Sequence, residues 1–184
     1  TSGGKYLREL QIMLKQFGGR IATICGRYFA MDRDSRWDRT ELFWNALIHG
    51  ACICEPSEDP QAAYAAALDR GETDEFIKPI LLGEAGSGRV ESRDAVISFN
   101  FRADRVRQIT EAMLSKNFTA FERGKVPKVH YATMTQYRKD FSCPVAFPPE
   151  QLHSLFGELV AAKGMTQFRC AETEKFPHVT FFFN

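Results

Sequence analysis

The chain has 184 residues, 44% of them hydrophobic, which is enough for one well-buried core and falls in the size range of a single domain. Its 24 basic and 23 acidic side chains leave a net charge of +1, so no global field favours nucleic acid or an anionic membrane, and any anion site must be local. No stretch approaches the roughly 20 apolar residues that cross a bilayer, and Thr1-Ser2-Gly3-Gly4-Lys5 has neither the charge nor the apolar run of a signal peptide.

The five cysteines (Cys25, Cys52, Cys54, Cys143, Cys170) are odd in number and scattered, which suits a reducing compartment; a cytoplasmic location is expected. Cys52-x-Cys54 with Cys25 offers a metal site in principle, but structural zinc uses wider pair spacing and a second pair, so buried free thiols are the preferred reading.

In chain order, Leu7, Leu10, Ile12, Leu14 and Phe17 give an apolar face to a predicted helix over Tyr6–Phe17, stopped by Gly18-Gly19. Ile21–Cys25 reads as a buried strand closed by Gly26. A charged stretch, Arg33–Arg39, precedes a helix over Glu41–Ile48 with Leu42, Phe43, Ala46 and Leu47 inward and His49-Gly50 at its end. Asp59-Pro60 opens a helix over Gln61–Asp69, ended by Gly71. Pro79–Leu82 is a short strand, and Gly83–Gly88 is a turn-rich connection that lacks the lysine and hydroxyl pair of a phosphate loop.

Ala95–Phe101 is the strongest candidate for a central strand, and Arg105–Leu114 a helix with Val106, Ile109, Met113 and Leu114 inward. A strand over Val129–Met134, a helix over Glu150–Lys163 ended by Gly164, and strands over Gln167–Ala171 and His178–Phe183 complete the pattern. Strands alternating with helices predict a layered α/β domain with no internal boundary.

Three stretches offer anion chemistry. Gly26–Arg39 follows a predicted strand, and ligands of open α/β sheets gather at strand carboxyl ends, so Arg27 and Arg33 are candidates. A guanidinium donates two parallel hydrogen bonds to phosphate or carboxylate and keeps its charge. Equally open is a solvated loop in which Asp32, Asp34 and Asp38 neutralise the arginines. In Asn100–Arg107 a strand again ends in arginines, and Arg102 and Arg105, at i and i+3, reach one side of a helical first turn whose free N–H groups favour an anion; pairing with nearby carboxylates is the alternative.

Ala171–Phe183 carries Lys175, which an ordinary surface charge explains as well, and His178, more readily a hydrogen-bonded core histidine than a catalyst. No nucleophile elbow, zinc-protease helix or Walker loop is present, and His49, His130, His153 and His178 lack ligand spacing.

At these stretches the chain resembles the cofactor-independent phosphoglycerate mutases. The resemblance rests on Gly26-Arg27-Tyr28 with Met31-Asp32-Arg33-Asp34 and Arg36-Trp37, on Asn100-Phe101-Arg102 with Asp104-Arg105, and on Ala171-Glu172-Thr173-Glu174-Lys175 with His178-Val179-Thr180-Phe181-Phe182-Phe183. Asp74-Glu75-Phe76, Lys78-Pro79 and Val145-Ala146-Phe147 extend it along the whole chain.

The resemblance implies a three-layer α/β/α sandwich with a mixed central sheet, the first part of the domain missing. Residues 1–184 would be the substrate-binding (phosphotransferase) domain alone, without the metal-binding domain related to alkaline phosphatase. It implies interconversion of 3-phosphoglycerate and 2-phosphoglycerate in glycolysis and gluconeogenesis, through a phosphoserine on the absent domain with two divalent ions, usually manganese. Arg27 and Arg33 would hold the glycerate, Arg102 and Arg105 the phosphoryl group, and Lys175 would lie beside the transferring phosphate, with no catalytic residue or metal ligand on this piece and no turnover by it alone. The expected partners are phosphoglycerate and the enzyme's own metal-binding domain, not nucleic acid or membrane; a non-catalytic phosphometabolite-binding module is the alternative.

Overall fold

The computed structural model describes residues 2–83, 87–150 and 152–180. They fall into two units, Thr1–Pro148 and Pro149–Asn184. The turn-rich connection predicted at Gly83–Gly88 lies partly outside the described residues.

Helix α1 runs over Gly3–Phe17 and ends as the glycine pair predicts, with Gly18 at φ 75 returning its N–H to the Leu14 carbonyl. Its start is tied down by Asp74, whose Oδ2 accepts the Ser2 and Gly3 N–H groups at 2.8 and 3.0 Å. The predicted apolar face is only partly covered. Leu7 and Leu14 are half-buried, whereas Tyr6, Leu10, Met13 and Phe17, successive positions along one stripe, are exposed.

Strand β1 (Thr23–Ile24) pairs antiparallel with β2 (Ile80–Leu81), Thr23 opposite Leu81. Between them, α2 (Arg27–Ala30) occupies part of the stretch read as a loop, and α3 (Trp37–Trp44) passes into one π-helical turn, Asn45–His49, closed by Gly50 at φ 61. Helix α3 begins four residues before the predicted Glu41 because Trp37 finds a tertiary partner, Phe118, edge-on at 5.2 Å. Thr40 and Trp44 of α3 are buried, as are Ala46 and Ile48 of the π turn that follows, while Leu42, Phe43 and Leu47 are half-buried. Helix α4 (Pro60–Asp69) starts as predicted, with proline in the first turn and the Asp59 carboxylate accepting the Ala62 N–H at 3.0 Å. Ala63 and Ala67 of α4 close a small core with Ile77, Ile80 and Leu82.

The larger core lies under a second sheet of three parallel strands, β3 (Ala95–Ser98), β4 (His130–Thr135) and β5 (Val145–Phe147), in that order. Strand β3 leads through a 3-10 turn, Ala103–Arg105, into α5 (Arg107–Leu114), the crossover helix between β3 and β4. Val106, Ile109, Ala112 and Met113 pack with Trp44, Ile48, Tyr131 and Tyr137. The α/β expectation is met, with the strands of the described residues divided between the parallel trio and the antiparallel pair.

Ala95–Phe101 is not central. Strand β3 stands at the edge of its sheet, stops at Ser98, and leaves Ile97, Phe99 and Phe101 exposed. The ladder ends there because the Tyr137 hydroxyl shares its hydrogen between the Ser98 and Asn100 carbonyls, at 2.8 and 2.7 Å. Strand β5, absent from the predicted elements, is three residues long, too short for alternation to reveal.

The second unit holds α6 (Phe156–Ala162), a 3-10 turn (Thr173–Lys175) and α7 (Phe176–Val179). Helix α6 starts later than predicted, where the Glu158 carboxylate accepts the Leu155 N–H at 3.1 Å. Neither predicted strand forms among the described residues: Gln167–Ala171 is irregular, and His178 lies in α7. A strand needs a ladder partner, the described part of this unit supplies none, and Pro177 suits a helix's first turn instead. Phe181–Phe183 lie outside the described residues. His178 is exposed, not a core histidine.

Trp44 is fully buried and its indole N–H donates to the Arg123 carbonyl at 3.2 Å, which His49 Nε2 also approaches at 3.0 Å, so loss of Trp44 opens a cavity and removes one of that carbonyl's partners. Trp44→Ala is expected to lower unfolding free energy by about 3–5 kcal/mol, read from the urea midpoint.

Candidate functional site

The site begins where β1 ends. A Cβ on Gly26 would lie 2.3 Å from the Glu75 carbonyl oxygen, so only glycine permits this approach of two backbones. Gly26 donates its N–H to the Ile77 carbonyl at 2.8 Å and Tyr28 to that of Glu75 at 3.0 Å. The contact delivers the Glu75 carboxylate to Arg27, the first residue of α2, at 2.7 Å.

The next loop is held by a buried carboxylate. Asp32 Oδ2 accepts the Asp34 and Arg36 N–H groups at 3.1 and 2.9 Å, and Oδ1 accepts from Arg39 at 3.2 Å. Arg39 also lies over the Tyr28 ring, 3.6 Å from its centroid, and serves the fold. Ser35 takes a left-handed φ of 58, and its N–H donates to Gln108 Oε1 at 3.1 Å; the Gln108 amide donates to Thr40 Oγ1 at 2.9 Å. Helix α5 thus fixes the loop that carries Arg33.

Arg33 reaches across to the turn between β3 and α5, where Nη1 donates to Asp104 Oδ2 at 2.9 Å. Asp104 also accepts from Arg102, Nε to Oδ1 at 3.2 Å and Nη2 to Oδ2 at 3.3 Å. Burial pushes the Asp104 carboxyl up, but the bonds from Arg33 and Arg102, and their charges, outweigh it and hold the group below the usual carboxylate range.

Arg105 differs from the other three arginines. Its Nη1 reaches the Met31 carbonyl at 3.4 Å, and no carboxylate among the described residues ion-pairs with it. Loss of solvent lowers its guanidinium below the usual range, and the positive charges of Arg33, Arg27 and Arg102 lower it further. Four of the predicted residues therefore come together, with Asp104 and Glu75 as the acidic members, and two positive charges are in excess.

Lys175 belongs to the second unit, where it pairs with Glu172 at 2.8 Å on the surface. The local-neutralisation alternatives hold for Asp32 with Arg39 and for Arg102 with Asp104, but the acid facing Arg33 comes from 71 residues away. Sequence reasoning missed Glu75, Asp104 and Gln108 as members of the site. An aspartate between two arginines was a visible signal for Asp104; neither Glu75 nor Gln108 carried one. The expected helical first turn at Arg102 and Arg105 is a 3-10 turn, α5 starting only at Arg107.

No group of three His, Cys, Asp or Glu among the described residues is arranged to hold a metal ion. The cysteines are free, with Cys25, Cys52, Cys54 and Cys143 half-buried and Cys170 exposed, so the burial expected of Cys25, Cys52 and Cys54 is only partial. Burial pushes the Cys25 thiol up to about 12. No helix of the described residues is long and apolar enough to cross a membrane.

The family profile described as "BPG-independent PGAM N-terminus" matches residues 1–139. The chain is 47% identical over 187 aligned positions to the 2,3-bisphosphoglycerate-independent phosphoglycerate mutase of Akkermansia muciniphila, covering all of this chain and 36% of that protein. It is 47% identical to enzyme 1 of that name in Methanosarcina barkeri, covering 98% of this chain and 35% of the relative. Among solved structures, a phosphoglycerate mutase of Leishmania mexicana, crystallised at low cobalt concentration, superimposes with a TM-score of 0.82 at 34% identity, covering all of this chain and 36% of that one. The chain spans about a third of the length of the relatives it matches.

Two measurements check the electrostatics. Because the folded carboxyl of Asp104 is depressed, its contribution to stability is complete above its unfolded pKa of about 4 and disappears as pH falls through the lower folded value. Melting temperatures of Asp104→Asn are expected to fall less steeply than those of the parent below about pH 4. Iodoacetamide at mildly alkaline pH is expected to label Cys170 readily and Cys25 slowly in the folded chain, read by peptide mass.

Proposed function

The chain belongs to the family of BPG-independent phosphoglycerate mutase N-termini, and from that membership we propose that its arginine cluster is the cradle in which the whole protein holds phosphoglycerate while converting the 3-phospho form to the 2-phospho form. A phosphoglycerate carries up to three negative charges, one on the carboxylate and about two on the phosphoryl group. Arg27 and Arg33 take the glycerate end and Arg102 and Arg105 the phosphoryl end.

The observation that carries this reading is Arg105, partly withdrawn from water beside three more guanidinium groups and without an ion-paired carboxylate among the described residues. A cation so placed is relieved by an anion from outside. Phosphoryl transfer depends largely on positioning and charge stabilisation, which arginines on separate elements supply. The phosphoserine, and the two divalent ions, manganese in this reading, belong to the rest of the protein. When bound, those ions stabilise charge on the transferring group. In this reading the chain's own part is to bind and orient.

The test is calorimetric titration of the full chain with 3-phosphoglycerate. Arg105→Ala is expected to weaken binding at least about tenfold, the worth of a hydrogen bond to a charged group, with an unchanged melting temperature. Mixing the chain with a separately made phosphatase-like remainder of a relative is expected to restore manganese-dependent mutase activity. Binding unchanged by Arg105→Ala and Arg27→Ala would remove the site assignment. Tight binding with no restored activity would favour a phosphometabolite-binding module.

A further inference from the structure

We propose that Asp104 is the positioning residue of this site: it sets Arg33 and Arg102 in one receptor before any ligand arrives, and so makes the site selective for a molecule with two anionic ends over a single phosphate. The inference rests on the phosphoglycerate reading for its ligand, and on the following geometry for the role.

Asp104 sits in the turn joining β3 to α5 with its side chain only 10% exposed. One carboxylate serves two arginines from different elements. Arg33 arrives from the loop after α2, and Arg102 lies two residues before Asp104 in its own turn. Among the described residues, Asp104 is the group that holds the Arg33 guanidinium; Asp32, the nearer acid in sequence, is occupied by Arg39 and two backbone N–H groups.

The bonds leave donors over. Arg33 uses Nη1 and retains Nε and Nη2, while Arg102 uses Nε and Nη2 and retains Nη1. Both guanidinium groups are therefore fixed in orientation with donors still available, which removes the cost of ordering two long side chains when a ligand binds. Charge acts in the opposite direction. Asp104 lowers the positive potential of the cluster, so a carboxylate that merely filled the site would weaken every anion alike.

The two roles predict opposite results for Asp104→Asn, which keeps the shape and removes the charge. If Asp104 positions, the variant binds 3-phosphoglycerate about tenfold more weakly and still binds inorganic phosphate, so selectivity between the two collapses. If Asp104 only occupies the site, both anions bind more tightly, and the proposal is overturned.

A second measurement needs no variant. In the ligand-free parent chain, nitrogen-15 spectra of the arginine side chains should show hindered guanidinium rotation for Arg33 and Arg102 against free rotation for the exposed Arg36. Rotation of Arg33 and Arg102 as free as that of Arg36 overturns the proposal. Hindered rotation with no heat from 3-phosphoglycerate upholds the positioning role and overturns the phosphoglycerate reading instead.

Discussion

Four guanidinium groups cannot be gathered at one corner of a small protein without relief of their mutual repulsion. In this chain the relief is two carboxylates, Asp104 shared between Arg33 and Arg102, and Glu75 given to Arg27. Neither reaches far enough to pair with Arg105, which keeps its charge at a cost that desolvation and its neighbours impose together. Much of the first unit's local architecture follows from supplying these partners across long stretches of chain.

The supply routes are backbone contacts as much as side-chain ones. The missing Cβ of Gly26 lets the chain between β1 and α2 run against residues 75–77, and this is how an acid 48 positions away meets Arg27. Gln108, buried in α5, fastens the backbone of the Arg33 loop at Ser35 and the start of α3 at Thr40 in one side chain. The same helix fills the larger core with Val106, Ile109, Ala112 and Met113. Packing and site geometry are therefore coupled through α5: a shift of this helix in its core would move both the loop that carries Arg33 and the turn that carries Asp104.

What the sequence disclosed, it disclosed through local chemistry. Glycine stops, the Asp59-Pro60 helix start and the inward face of α5 were legible because capping, fixed φ and periodicity act within a few residues. The arginines were legible as candidates because each follows a strand. Of their acids, Asp104 was legible only as a local partner of Arg102, two residues away, while its pairing with Arg33 across 71 residues and that of Glu75 with Arg27 across 48 were not, since no short-range pattern encodes such a meeting. Edge or centre was equally hidden. Ala95–Phe101 has the apolar content of an interior strand, yet its place depends on which backbone lies beside it, and the Tyr137 hydroxyl, 39 residues from Ser98, ends its ladder early. The strand expected over Gln167–Ala171 failed for the same reason, propensity without a neighbour among the described residues.

The outer side of β3 has a further meaning for how the chain behaves in solution. A sheet margin presents the same repeat of N–H and C=O to any extended peptide, whatever its residues; here the ring of Phe99, just beyond β3, is exposed, while Phe101 turns across the end of the sheet to stack on Phe147 of β5. Among the described residues no strand lies along that margin, so it offers an extended segment of suitable length a ladder to continue.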